Sequence, residues 1–209
     1  MIAMLTLVVG AVMAVVQTNV KRMLAFSSVS HAGFILVGVE AAAHRPGAPM
    51  GGDGVSSVLL YLLIYAVLVI GTFAVVTAVG RTGDAATDLA GFRGVAKNKP
   101  ALALAMTVLL LAQAGVPLTS GFIAKFGVIG AAVDVESYAI AIVAMVSAVI
   151  AAFVYLRIMV SMWITDEEVG DDIREPVRVP ALLWAAIATS VGFTLAVGLF
   201  PGWLINITP

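Results

Sequence analysis

Six long apolar runs, separated by short polar connections, make up almost the whole chain. They span residues 1–16, 24–43, 55–80, 100–133, 138–164 and 180–205. Each is read as a helix, because an open strand cannot satisfy its backbone hydrogen bonds in lipid. The first run, at 16 residues, is shorter than the roughly 20 needed to cross a bilayer. It has neither a charged leader nor an A-x-A cleavage site, so it is not read as a signal peptide. The fourth run is too long. Its 34 residues would make a helix of roughly 50 Å against a hydrocarbon core of about 30 Å. Within it lies Ala114-Gly115-Val116-Pro117-Leu118-Thr119-Ser120-Gly121. The glycines Gly115 and Gly121 with Pro117 predict a break in the helix near residues 114–121.

Composition changes the picture in one direction. The chain is 62% hydrophobic and 11% charged, with a mean hydropathy of +1.11, whereas soluble domains carry about 25% charged residues. The expected fold is therefore an all-α integral membrane protein with about six transmembrane helices, the fourth interrupted. Residues 1–209 form a single membrane domain with no soluble domain. The chain has no cysteine, which excludes disulfides and thiolate-bound metals or iron–sulfur clusters. No phosphate-binding glycine loop is present, the two histidines His31 and His44 are not spaced as a metal pair, and a net charge of −1 points away from nucleic acid.

Charge also sets the orientation. Counting connections in turn, one side receives Lys21, Arg22, Arg81, Arg93, Lys97, Lys99, Arg174 and Arg178, and the other receives Arg45 alone. The positive-inside rule then places both termini outside the cytoplasm. The fourth run must cross once, since a double crossing would move Arg174 and Arg178 to the other side. The acidic residues between Ile164 and Val179 read as a solvated loop or a docking surface for a neighbouring subunit, and Ala41–Gly54 reads as a glycine- and proline-rich loop.

Lys125 is the only charge in the fourth run. A charge at mid-membrane costs roughly 2.5–3.5 kcal/mol on insertion scales and marks a functional site by default. It is read as a proton carrier, since desolvation favours the neutral form of an amine, with snorkelling to the outer interface as the bland alternative. Lys21 is read as a topology anchor or as the inner mouth of a proton path. Ser27, Ser28 and His31 follow it; Ser27 and His31 share a helix face, and an imidazole can relay protons. Tyr61 and Tyr65 form a second i, i+4 pair, read either as packing or as a hydrated relay. Glu40 is placed near the outer end of its helix. Arg157 is expected to snorkel to the cytoplasmic surface, and Tyr155 and Trp163 to join an aromatic belt.

Residues Gln17 to Phe34 (QTNVKRMLAFSSVSHAGF), Leu89-Ala90-Gly91-Phe92-Arg93-Gly94, and Ala114 to Phe126 (AGVPLTSGFIAKF) resemble segments of the antiporter-like subunits of respiratory complex I, the proton-pumping NADH–quinone oxidoreductase. Gln17-Thr18-Asn19 and a lysine at position 125, where subunit M would be expected to carry glutamate, make the chain most similar to the subunit N type. Leu118 stands where a second proline is common and Gln113 where a serine is common. The resemblance implies a fold of fourteen helices containing two inverted five-helix repeats. Residues 1–164 would be the second repeat and 180–205 the final helix. It implies that Lys125 is the proton-carrying lysine of the broken helix, with His31 and Lys21 as further proton-transfer candidates. It also implies that NADH, flavin mononucleotide, iron–sulfur clusters and quinone are bound by other subunits. The implied partners are subunit M, small membrane subunits, the lipid bilayer and an N-terminal repeat of the same subunit, in a bacterial inner membrane. A multisubunit cation/proton antiporter, which shares the fold, and a non-pumping structural piece of the membrane arm are the alternatives.

Overall fold

The computed structural model describes residues 1–44, 54–80, 87–164 and 179–205, with the side chains of Trp203 and Ile205 left aside. Among these residues the chain is helical, and its regular elements run in the order the apolar pattern predicts. They are α1 (Ile2–Val15), α2 (Val20–His44), α3 (Gly54–Val79), a 3₁₀ turn (Leu89–Phe92), α4 (Val95–Asn98), α5 (Pro100–Ala114), α6 (Ser120–Asp134), α7 (Tyr138–Trp163), α8 (Ala181–Leu199) and α9 (Gly202–Ile205). Helices α2, α3, α7 and α8 are long and apolar enough to cross a membrane; α1 and α5 are shorter apolar helices. The chain is a membrane protein. Ala41–His44 continue α2, so the loop expected from Ala41 begins later, and its remainder lies outside the described residues. The acidic connection, with Arg174 and Arg178, and Arg81 also lie outside them.

Helix α7 is the hub, packing against α1, α2, α5 and α6, while α3 packs against α2, α5, α6 and α8. The exposed positions carry large apolar residues such as Leu62, Ile142, Val149 and Leu182. That pattern is inverted from a soluble protein, since lipid solvates these side chains as well as a core does. The inward positions are filled by small or apolar residues and a minority of polar ones.

The polar residues before α2 have a structural task. The Asn19 side chain accepts a hydrogen bond from the Arg22 amide (3.2 Å), capping the first turn of α2. Its amide nitrogen donates to the Thr87 hydroxyl (2.7 Å) and to the Asp88 carboxylate (3.2 Å). The Val20 amide donates to the Thr87 carbonyl (2.8 Å) and the Leu89 amide to the Thr18 carbonyl (3.0 Å). The two motifs Gln17-Thr18-Asn19 and Leu89-Ala90-Gly91-Phe92 thus pair with each other, and Phe92 is buried beneath them.

Arg157 does not snorkel outward. Its guanidinium donates to the carbonyls of Val15 (2.9 Å) and Gln17 (3.1 Å). These groups close the C-terminus of α1, where orphan carbonyls and the helix dipole favour a cation. Trp163 donates its indole N–H to Thr107 (3.0 Å).

Candidate functional site

The predicted break is present between α5 and α6, and its chemistry is local. Gly115 ends α5 in the left-handed region at φ 88°. Its amide donates to Ala112 and the Val116 amide reaches back to Leu111 (3.1 Å), the Schellman arrangement that glycine favours. Pro117 then has no amide to continue a helix. The Thr119 hydroxyl donates to the Val116 carbonyl (2.6 Å), and α6 starts at Ser120. A Cβ on Gly121 would run into the Ala112 carbonyl, so only glycine lets α6 begin this close to α5. Leu118 takes a positive φ of 69°. Thr194 of α8 accepts from Ser120 (3.2 Å), which ties the break to the neighbouring helix.

The end of a helix leaves carbonyls without partners. Lys125, one turn into α6, supplies them. Its ammonium donates to the carbonyls of Gln113 (2.8 Å) and Ala114 (2.9 Å) and lies over the Phe34 ring at 5.2 Å. The side chain is buried at 6% exposure, so it does not snorkel. Among the described residues no carboxylate pairs with it. The cation is held instead by the negative end of the α5 dipole and an aromatic face. The Gln113 side chain turns away and donates to Thr72 on α3 (2.6 Å), which donates in turn to the Leu68 carbonyl (2.7 Å).

A second polar group also touches Phe34. His31 is buried, with Nδ1 2.7 Å from the Tyr61 hydroxyl and Nε2 2.8 Å from the Tyr155 hydroxyl. The Tyr155 hydroxyl also hydrogen-bonds Ser27. In a neutral imidazole one nitrogen donates and the other accepts. Ser27, Tyr155, His31 and Tyr61 therefore form one continuous chain of exchangeable protons drawn from α2, α3 and α7. Tyr65 stacks on the imidazole (centroids 4.4 Å apart, planes 19° apart). Phe34 contacts His31 at 6.2 Å and stacks on Tyr61 at 6.1 Å, so the same ring touches both groups.

The structure brings together Lys125, His31, Ser27, Tyr61 and Tyr65. It does not bring Lys21 to them: Lys21 is half-buried in the first turn of α2, about 15 Å along that helix from His31. Ser28 bonds the Leu24 carbonyl (3.0 Å) and sits beside the group rather than within the chain. Tyr155, like Arg157, is misplaced by sequence reasoning, since it belongs to the buried network and not to an aromatic belt. The missed signal was depth: Tyr155 lies two turns inside the end of α7, whereas belt aromatics sit at the interface. Glu40, near the C-terminal end of α2, accepts from Ser137 (2.8 Å). Among the described residues no cluster of His, Cys, Asp or Glu could hold a metal.

Residues 1–151 match the family model described as NADH:quinone oxidoreductase/Mrp antiporter, transmembrane. The chain belongs to this family. Curated relatives within the antiporter family include NADH-quinone oxidoreductase subunit N 3 of Streptomyces griseus, 41% identical over 99% of this chain and 35% of its own length. Subunit N of Rhodococcus opacus is 43% identical over 96% of this chain and 35% of its length. Among solved structures, a subunit of respiratory complex I from Thermus thermophilus superposes with a TM-score of 0.74 at 25% identity, covering 98% of this chain and 43% of that one. A subunit of an archaeal membrane-bound sulfane sulfur reductase superposes with a TM-score of 0.80 at 26% identity, covering 99% of this chain and 39% of that one. The Mrp complex of Dietzia shares the fold with a TM-score of 0.78 at 24% identity, covering 99% of this chain and 44% of that one. The chain thus spans little more than a third of the length of the curated relatives it matches.

Proposed function

We propose that this chain is the second antiporter-like repeat (residues 1–164) and final helix (180–205) of a subunit N-type membrane-arm subunit of NADH–quinone oxidoreductase, and that Lys125 carries protons in it. The observation that supports this most is the setting of Lys125. It is a buried ammonium at a helix break, held by two carbonyls and a ring and by no carboxylate. Carbonyls accept from the ammonium and from the neutral amine alike, so the proton can leave without stranding a buried anion. His31, with Ser27, Tyr155 and Tyr61, is the relay beside it, and Lys21 marks the cytoplasmic approach. Electron transfer from NADH through flavin and iron–sulfur clusters to quinone belongs to other subunits. This chain has no thiolate to hold a cluster, and its role is to move protons when the charge state of a neighbouring subunit changes. The setting is a bacterial inner membrane with both termini on the non-cytoplasmic side, beside subunit M, small membrane subunits and an N-terminal repeat.

The second reading, a subunit of a multisubunit cation/proton antiporter, draws support from the fold shared with the Mrp complex. The relatives at 41–43% identity named subunit N favour the first. The test is Lys125→Ala in the assembled complex, reconstituted in liposomes. The first reading expects NADH-driven proton uptake to collapse. Loss of sodium-driven exchange with no dependence on NADH would favour the second. Native proton uptake together with native exchange would overturn Lys125 as a carrier.

A further inference from the structure

Two polar groups touch Phe34, yet among the described residues no hydrogen bond joins them. Lys125 donates only to carbonyls of α5, and His31 bonds only tyrosine hydroxyls. A proton moving between them must pass around an aromatic ring. Ser147 of α7 is a buried hydroxyl at their depth. It is fully buried (0% exposed), and its Oγ has no hydrogen-bond partner.

Two independent registers set its depth. Helices α2 and α7 meet at Glu40–Ser137 near one end and at Ser27–Tyr155 near the other, so they run antiparallel. Ser147 falls between these contacts, level with the turn of α2 that contains His31 and Phe34. Helices α6 and α7 are joined by the three residues between Asp134 and Tyr138. Lys125 lies nine residues before the first of these two positions and Ser147 nine residues after the second, so the two share a depth. Ala144 and Ala151, one turn to either side on α7, are buried alanines, small enough to leave room beside the hydroxyl.

Its lack of a partner is itself informative. Thr6, Ser28, Thr72, Thr77 and Thr107 each donate to the carbonyl four residues earlier, the usual resort of a hydroxyl in an apolar helix. Ser147 does not take the equivalent bond to Val143. A buried hydroxyl left unpaired is costly, and such groups commonly hold ordered water.

We propose that Ser147 is a water-binding site that links Lys125 to the His31–Tyr155 network around Phe34. This deepens the carrier reading of Lys125 and rests on it. The hydroxyl both donates and accepts, so a water bound there can receive a proton from one group and pass one to the other. The test uses the complex purified from its native membrane. A density map that resolves ordered water should show one within about 3.2 Å of Ser147 Oγ, and Ser147→Ala should abolish it. The same variant, with assembly checked on a native gel, should lower proton uptake per NADH oxidised several-fold and enlarge the solvent deuterium effect on uptake. A hydroxyl bonded to the Val143 carbonyl with no water beside it would overturn the proposal. Native uptake in Ser147→Ala would overturn it as well. If Lys125→Ala pumps normally while the Ser147 water is present, the carrier reading fails and the relay around Phe34 falls with it, leaving only the water site.

Discussion

Tyr155→Phe removes a single oxygen from the point where α7 meets α2. In the native chain that hydroxyl hydrogen-bonds His31 Nε2 at 2.8 Å and also Ser27. The ring is 1% exposed, so no outside water replaces the lost contacts. Hydrogen bonds within membrane bundles are worth about 0.6 kcal/mol on average and up to about 1.7 kcal/mol. Two of them come to about 1–3 kcal/mol, against a stability of about 5–15 kcal/mol for a folded domain. The variant is therefore expected to assemble, since the ring volume that packs α7 against α2 is kept. Function should suffer far more than stability. The chain from Ser27 to His31 is interrupted, and loss of a positioned proton-transfer group typically costs a factor of about 10²–10⁴ in the step it serves. The assay is proton uptake by liposomes containing the assembled complex, with NADH oxidation followed in parallel and assembly checked by native gel. Tyr61→Phe is the internal control: it frees only His31 Nδ1 and leaves the link to Ser27 intact, so its effect should be smaller. Native uptake in Tyr155→Phe would refute the relay. Equal losses in the two variants would refute Ser27–Tyr155 as the branch that carries the proton.

Lys125→Arg keeps the charge and the donors that satisfy the α5 carbonyls but cannot release its proton; assembly should persist while proton uptake falls to the level of Lys125→Ala, and retained uptake would make Lys125 a helix cap only. Gly121→Ala drives a Cβ into the Ala112 carbonyl; overpacking of this kind costs about 1–3 kcal/mol, and the yield of assembled complex should drop, as read on a native gel. Gly115→Ala forces a side chain into the left-handed region at φ 88°, about 1 kcal/mol, with a smaller loss of yield than Gly121→Ala. Arg157→Met removes two charged hydrogen bonds to the end of α1, about 1–3 kcal/mol for a half-buried site; the half-life of the complex on heating should shorten, with proton uptake per NADH unchanged.

Much of the membrane architecture is legible in the order of residues because lipid imposes it. A backbone in hydrocarbon must satisfy its own hydrogen bonds, which a long apolar run does as a helix, an apolar run has a required length, and a run that is too long must break where glycine and proline allow. Lys125 was visible for the same reason, as a charge without company in a 34-residue run. The pairing of Gln17-Thr18-Asn19 with Thr87-Asp88 was not legible. It joins two segments through hydrogen bonds across 68 residues, and composition is silent on such partners. Arg157 and Tyr155 were misjudged alike. Each was assigned to the surface by a general tendency of its residue type, and each is claimed by a neighbouring helix: Arg157 by the open end of α1, Tyr155 by His31.

The sequence by itself determined that this is a helical membrane chain, where its fourth helix breaks, and that one lysine stands alone in a long apolar run. These follow from local chemistry, since hydropathy, backbone conformation and the cost of burying a charge are properties of single segments. Only the tertiary structure decided what that lysine touches. The carbonyls of Gln113 and Ala114, the Phe34 ring, and the chain of hydroxyls around His31 come from different helices. Their meeting depends on how small residues let those helices approach, and no single segment contains that information.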